Sequence, residues 1–168
     1  QIVVRHGDTA ALPQGNGTGG SRSLAVGGSA IMGASLKVQE KAGFIPNVFL
    51  ALAHRPEEFR AFFAYHDALM LRDSGLTKAE KEMIVVASSG VNHCPYCVIA
   101  HGAILRIYAK NPHIADQVAV DHRKADVTPR QKAMLEFAVK LARTPEAVTE
   151  EDMQPLRALG FSDEDIWD

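Results

Sequence analysis

From about Leu36 to Asp168 the apolar positions recur with a helical period. After Pro56, the residues Phe59, Phe62, Phe63, His66, Leu69 and Met70 fall at steps of three and four, which predicts a helix over 57–71. Proline suits the first helical position because its missing N–H would have no partner there. Gly75 interrupts the pattern. Thr77 and Glu80 then have the spacing of a capping box, so the next helix is expected to run to about Ser89, with Gly90 as its stop. Pro95 opens another that continues to about Tyr108, ahead of Asn111-Pro112. Thr128-Pro129-Arg130-Gln131 caps a helix carrying Met134, Leu135, Phe137, Ala138 and Leu141, and Thr149 and Ser162 start two short ones. No stretch shows the alternation of a half-buried strand. Six to eight helices without strand pairs make residues 36–168 an all-α domain.

Residues 7–35 are different. They are rich in Gly, Ser and Ala, including Gly15-Asn16-Gly17-Thr18-Gly19-Gly20 and Gly27-Gly28. Such a composition buries little apolar surface, so residues 1–35 are expected to form a flexible leader or loop.

Composition narrows the function classes. A 46% hydrophobic and 23% charged chain of 168 residues is that of a globular domain, and a net charge of -2 argues against a general nucleic-acid binder. No apolar run reaches the roughly 18 residues of a membrane span. The stretch from Gln1 to Arg5 lacks the basic-then-apolar form of a signal peptide. Cytoplasm is the expectation, with neither membrane nor nucleic acid as partner.

The chemistry concentrates in Asn92-His93-Cys94-Pro95-Tyr96-Cys97-Val98-Ile99-Ala100-His101, which holds both cysteines of the chain. Two thiols at C-x-x-C spacing can close a disulfide within one helical turn, and His101, at i+4 from Cys97, shares its helix face. At a helix start, unpaired backbone N–H groups and the helix dipole favour a thiolate. The arrangement suits attack by one thiol, resolution by the other and proton transfer through imidazole. Two other readings stay open on these residues: a pair of unreactive buried cysteines, and a zinc site drawing on Cys94, Cys97, His101 and His93. Glutaredoxins share the letters C-P-Y-C, but a thioredoxin-like fold needs a strand before the first cysteine, and a helical pattern stands there instead.

Glu82 lies twelve residues before Cys94, and the resulting pattern Glu-x11-Cys-x2-Cys-x3-His resembles the alkylhydroperoxidase D core of the carboxymuconolactone decarboxylase-like superfamily. Gly43-Phe44-Ile45-Pro46-Asn47-Val48-Phe49, His54-Arg55-Pro56-Glu57, Leu69-Met70-Leu71-Arg72 and the run from Gly160 to Trp167 resemble its "peroxidase-related" branch. The likeness covers roughly residues 36–168. It implies an all-helical antioxidant fold, a further helix beyond Asp168, homo-oligomers, and a dithiol that reduces a hydroperoxide or the disulfide of a partner peroxiredoxin. By motif position, Cys97 would be the more reactive thiol, Cys94 its resolving partner, His101 the proton shuttle and Glu82 the carboxylate that orients it. No organic cofactor or metal is implied; reducing equivalents would come from an external dithiol or an electron-donor protein. Tyr96 stands where the best-known members have histidine, so it is a candidate for hydrogen bonding a substrate. His93, before Cys94, is a candidate substitute relay or an exposed N-cap.

Two readings compete. The superfamily also reaches lactone decarboxylases, which work without a cysteine pair, so a non-redox lyase or a small-ligand binding protein is the alternative. Separately, Arg5-His6-Gly7-Asp8-Thr9 resembles the opening motif of histidine phosphatases, and Ala100-His101-Gly102 their later segment. That fold needs a parallel sheet and its second histidine at a strand end, whereas the pattern around His101 is helical.

Overall fold

A computed structural model describes residues 45–168, and every regular element among them is helical. In chain order these are α1 (Asn47–Leu52), α2 (Pro56–Met70), α3 (Lys78–Val91), α4 (Pro95–Ala109), α5 (Ile114–Asp121), α6 (Pro129–Arg143), α7 (Glu150–Ala158) and α8 (Asp163–Trp167), with a 3-10 turn over Pro145–Ala147. The all-α expectation stands for these residues. The glycine-rich leader and Arg5-His6-Gly7 lie outside them. No helix among the described residues is long and apolar enough to cross a membrane.

The chain divides into two compact units at Asp67 and Ala68, inside α2. In the described part of the first, Phe59 and Phe63 stand one turn apart on α2 and their rings approach to 4.7 Å between centroids. Phe49 of α1 closes the group, 5.4 Å from Phe59 and 4.6 Å from Phe63. Phe59 is buried. Phe62, although it shares the helical spacing, is exposed and meets Phe63 edge-on.

The second unit is organised around α3, which packs against α4, α5 and α6. Val86, Leu105 and Leu135 are fully buried at its centre, joined by Met83, Ile114 and Val118. Truncating such a leucine to alanine typically costs about 2–5 kcal/mol. The α3 start follows the sequence: Thr77 Oγ1 accepts from Glu80 N at 3.2 Å, and Glu80 Oε2 accepts from Thr77 N at 2.9 Å. Thr128 and Gln131 repeat that box at α6. Helix α5 was not expected from the sequence, where Asn111-Pro112 reads only as a break; it buries Ile114, Ala115 and Val118.

The α3 end departs from expectation. Gly90 does not stop the helix, which runs on to Val91. A Cβ at Gly90 would stand 3.0 Å from the Ala119 carbonyl oxygen, so this glycine lets α5 approach α3. The stop is His93, whose φ of 53° is left-handed. His93 N donates to Gly90 O at 3.2 Å and Cys94 N to Ser89 O at 3.0 Å, the two hydrogen bonds of a Schellman motif.

Candidate active site

The turn that ends α3 also begins α4. Cys94, last residue of the Schellman motif, is the N-cap of α4, and its Sγ accepts from Cys97 N at 3.3 Å. Pro95 takes the first helical position, as its missing N–H allows. His93 is therefore not the N-cap. It is exposed and serves as the left-handed closing residue of α3, a role histidine tolerates better than most residues. Cys94 and Cys97 are joined as a disulfide with Cα atoms 5.4 Å apart.

Because the connection is so short, α4 folds back along α3, and two contacts tie the pair. Near the turn, Cys94 N meets Ser89 O. Seven residues away on each helix, His101 Nδ1 lies 2.8 Å from Glu82 Oε2. The Glu82 side chain is 7% exposed and that of His101 26%. An ionised carboxylate only accepts, so in this contact Nδ1 is the donor, the arrangement that in a neutral imidazole leaves Nε2 as the base. Cys94, Cys97 and His101 occupy the first two turns of α4, and no Lys, Arg, Asp or Glu occurs between Glu82 and Arg106. Within this stretch, the α4 N-terminus and the Glu82–His101 pair are the polar features beside the sulfurs.

Three consecutive ionisable residues of α3 are buried, each with a different partner. Glu80 completes the Thr77 cap and accepts from Arg130 Nη1 at 2.6 Å. Lys81 Nζ donates to the carbonyls of Leu69 and Arg72, both at 2.8 Å, at the end of α2. Burial pushes the Lys81 ammonium below its ordinary range, and the nearby Arg72 charge adds to this. Only Glu82 faces the histidine below the cysteines. Lys81 and Arg130 escape sequence reasoning because their partners are a backbone end and a side chain fifty residues away.

Tyr96 is in the first turn of α4 on its exposed side, followed by Ile99, which is 71% exposed. His101 lies inside α4 rather than at a strand end, so the second histidine of the phosphatase reading is misplaced. Among the described residues no group of three or more His, Cys, Asp or Glu side chains is arranged to hold a metal ion.

Comparison with known proteins places these features. Residues 56–140 match the carboxymuconolactone decarboxylase family model. Residues 1–80 match a model described as a molybdopterin cofactor-binding domain; the described part of that span is helical and, from residue 56, shared with the first match. A crystal structure described as the alkylhydroperoxidase AhpD core, an uncharacterized peroxidase-related protein from Ralstonia eutropha JMP134, is 65% identical, covering 83% of this chain and 73% of that one with a TM-score of 0.79. An uncharacterized peroxidase-related protein from Silicibacter sp. TM1040 is 40% identical over the same shares, also with a TM-score of 0.79. No curated protein matches the chain.

Proposed function

The chain belongs to the carboxymuconolactone decarboxylase family, on its alkylhydroperoxidase D-like side, and from that premise we propose that it is a thiol-dependent oxidoreductase that reduces hydroperoxides with the Cys94/Cys97 dithiol. In the reduced protein, His101 Nε2 takes the Cys97 proton, while Glu82 holds the imidazole in the required tautomer and stabilises its charged form. The Cys97 thiolate attacks the O–O bond of the hydroperoxide. That bond breaks, the sulfur becomes a sulfenic acid, and the departing alkoxide leaves as an alcohol with the proton held by His101. Cys94 then attacks the sulfenic sulfur, expelling water and closing the disulfide. An external dithiol, or an electron-donor protein presenting one, restores both thiols by exchange. The same dithiol would serve a partner peroxiredoxin disulfide by the reverse exchange.

The observation that carries this reading is the part-buried Glu82–His101 hydrogen bond set beside a cysteine pair at a helix N-terminus. A carboxylate, an imidazole and two helix-start sulfurs are the parts a thiol peroxidase needs, and no organic cofactor or metal has a role in these steps. The proposed protein is cytoplasmic and a homo-oligomer; the exposed apolar side chains of α4 support the second point.

Counting free thiols tests the reading directly. Reduced protein mixed with hydrogen peroxide or tert-butyl hydroperoxide should lose two thiols and recover both with dithiothreitol, and Cys97→Ser should abolish catalytic peroxide consumption. Thiols that survive peroxide, with turnover of a lactone acid in their place, would favour the family's decarboxylase chemistry.

A further inference from the structure

The starts of α3, α4, α6 and α8 share one hydrogen bond. At α3, α6 and α8 the side chain of the capping residue accepts from the backbone N–H three positions on: Thr77 from Glu80 at 3.2 Å, Thr128 from Gln131 at 3.2 Å and Ser162 from Asp165 at 3.1 Å. Each acceptor is a hydroxyl oxygen, the usual choice at this position. At α4 the same register pairs Cys94 Sγ with Cys97 N, 3.3 Å apart. The atom that closes the start of α4 is therefore one of the two sulfurs of the disulfide.

The two sulfurs are thus placed differently. Val98 N donates to Cys94 O at 3.1 Å as the first bond of α4, which leaves the Cys97 N–H for the Cys94 side chain. Cys97 itself lies inside the first turn, past the capping position, and shares its helix face with His101 one turn on. A disulfide sulfur is a weak acceptor. A thiolate in the same place accepts a charge-assisted hydrogen bond and faces the positive end of the helix. The first two turns of α4 hold no Lys or Arg that could steady a charge on either sulfur instead.

We propose that the two sulfurs take different parts when the disulfide is reduced: the incoming thiolate bonds to Cys97, and Cys94 is the leaving group. This inference rests on the redox reading above. One sulfur of the reductant, an external dithiol in its singly ionised form, bonds to Cys97 Sγ. The Cys94–Cys97 bond breaks and its electron pair departs on Cys94 Sγ, where the Cys97 N–H already points. A stabilised thiolate is the better leaving group, and no proton is needed at this step. The second thiol of the reductant then gives its proton to His101 and attacks the reductant's own sulfur in the mixed disulfide. The reductant leaves as a disulfide, Cys97 leaves with the electron pair and takes the proton from His101, and Cys94 stays a capped thiolate. The backbone of α4 thus serves Cys94, and the imidazole serves Cys97.

The test opens the disulfide of the oxidised protein with a monothiol, 2-mercaptoethanol, quenches with iodoacetamide and locates both groups by peptide mass spectrometry. Mercaptoethanol on Cys97 with the alkyl group on Cys94 should exceed the reverse pattern about tenfold, the scale of one hydrogen bond to a charged group. The reverse pattern in excess, or equal amounts of the two, overturns the proposal. A second measurement ties the result to the cap. Cys97→Ala removes the other sulfur but keeps the N–H, and its Cys94 thiolate, read by absorbance near 240 nm at pH 7, should fall about tenfold when the protein is unfolded in urea. A change within twofold overturns the proposal, as does a tenfold change that disappears when His101→Ala is added. No peroxide is present in either experiment. Mercaptoethanol on Cys97 in a protein whose thiols survive peroxide sinks the peroxidase reading and leaves the division between the sulfurs standing. Mercaptoethanol on Cys94 in a protein that consumes peroxide sinks this division alone.

Discussion

A carboxylate that leaves water needs a partner, and α3 buries two of them with a lysine between. Successive helix positions point about 100° apart, so Glu80, Lys81 and Glu82 reach Arg130, the end of α2 and His101 respectively. The distinction matters for function because only one of these pairs touches the cysteine-bearing helix. Glu82→Gln keeps the shape and an acceptor but removes the charge that supports a protonated imidazole. It should slow peroxide-driven thiol oxidation about tenfold to a hundredfold, part of what a positioned base contributes, and stopped-flow thiol kinetics would measure it. A variant within twofold of the parent would remove Glu82 from the relay. At this scale the sequence was legible wherever spacing alone decides contact. Cys94, Cys97 and His101 share one face of one helix. Glu82 was found by its distance from Cys94 through a family resemblance, since nothing local separates it from Glu80. His93 was misread because a left-handed residue closing one helix and an N-cap opening the next occupy neighbouring positions.

Between elements, the decisive contacts are backbone approaches. Gly90 permits α5 to lie against α3, with the Ala119 carbonyl at the point a Cβ would fill. Alanine has about 1 kcal/mol better helix propensity than glycine. Even so, Gly90→Ala should lower stability by about 1–2 kcal/mol, because the obstacle is backbone rather than a flexible side chain. A urea or thermal melt would settle the sign, and a higher midpoint would mean that α5 shifts freely. The opposite problem appears on α4, which is apolar nearly all round: Ile99 and Ile107 are each 71% exposed, two turns apart on one side. If that stripe is covered by a second copy, sedimentation velocity should find the parent at a multiple of the chain mass and Ile107→Glu at the chain mass. A monomeric parent would refute the oligomer. Sequence periodicity placed α2, α3, α4 and α6 within two or three residues. It misjudged the α3 end because a glycine at a helix crossing and a glycine at a helix stop have the same letter.

Across the second unit, carboxylates fasten helix starts and neighbouring helices together. Asp152 accepts from Lys140 Nζ at 2.6 and 2.7 Å and from Thr149 N at 2.8 Å, and the lysine contact is the main reason its carboxyl is held below the usual range. Asp165 is lowered chiefly by the Ser162 N–H, and Asp121 by Arg123. A carboxyl depressed in the folded state binds fewer protons there than in the unfolded chain. Its stabilisation is therefore present at neutral pH and lost as pH falls below the ordinary value of 3.8 and through the depressed one. The melting temperature should fall steeply below about pH 4, and Asp152→Asn should flatten that limb. An unchanged acid profile in Asp152→Asn would assign the loss elsewhere. The Lys81 ammonium is lowered too, by burial, so its contribution to stability likewise rises with pH, but in the alkaline window as pH climbs toward 10.5. By itself, the sequence determined six of the helices with most of their caps, though not α1 or α5, together with the cysteine pair at a helix start and the histidine one turn on, because these depend on a few residues of one segment and on fixed helical geometry. Only the tertiary structure decided that Glu82 reaches His101, and that Gly90 is a crossing and His93 the stop. Those facts depend on how α3, α4 and α5 lie against one another, and that is set by the whole set of buried side chains rather than by any stretch of the chain.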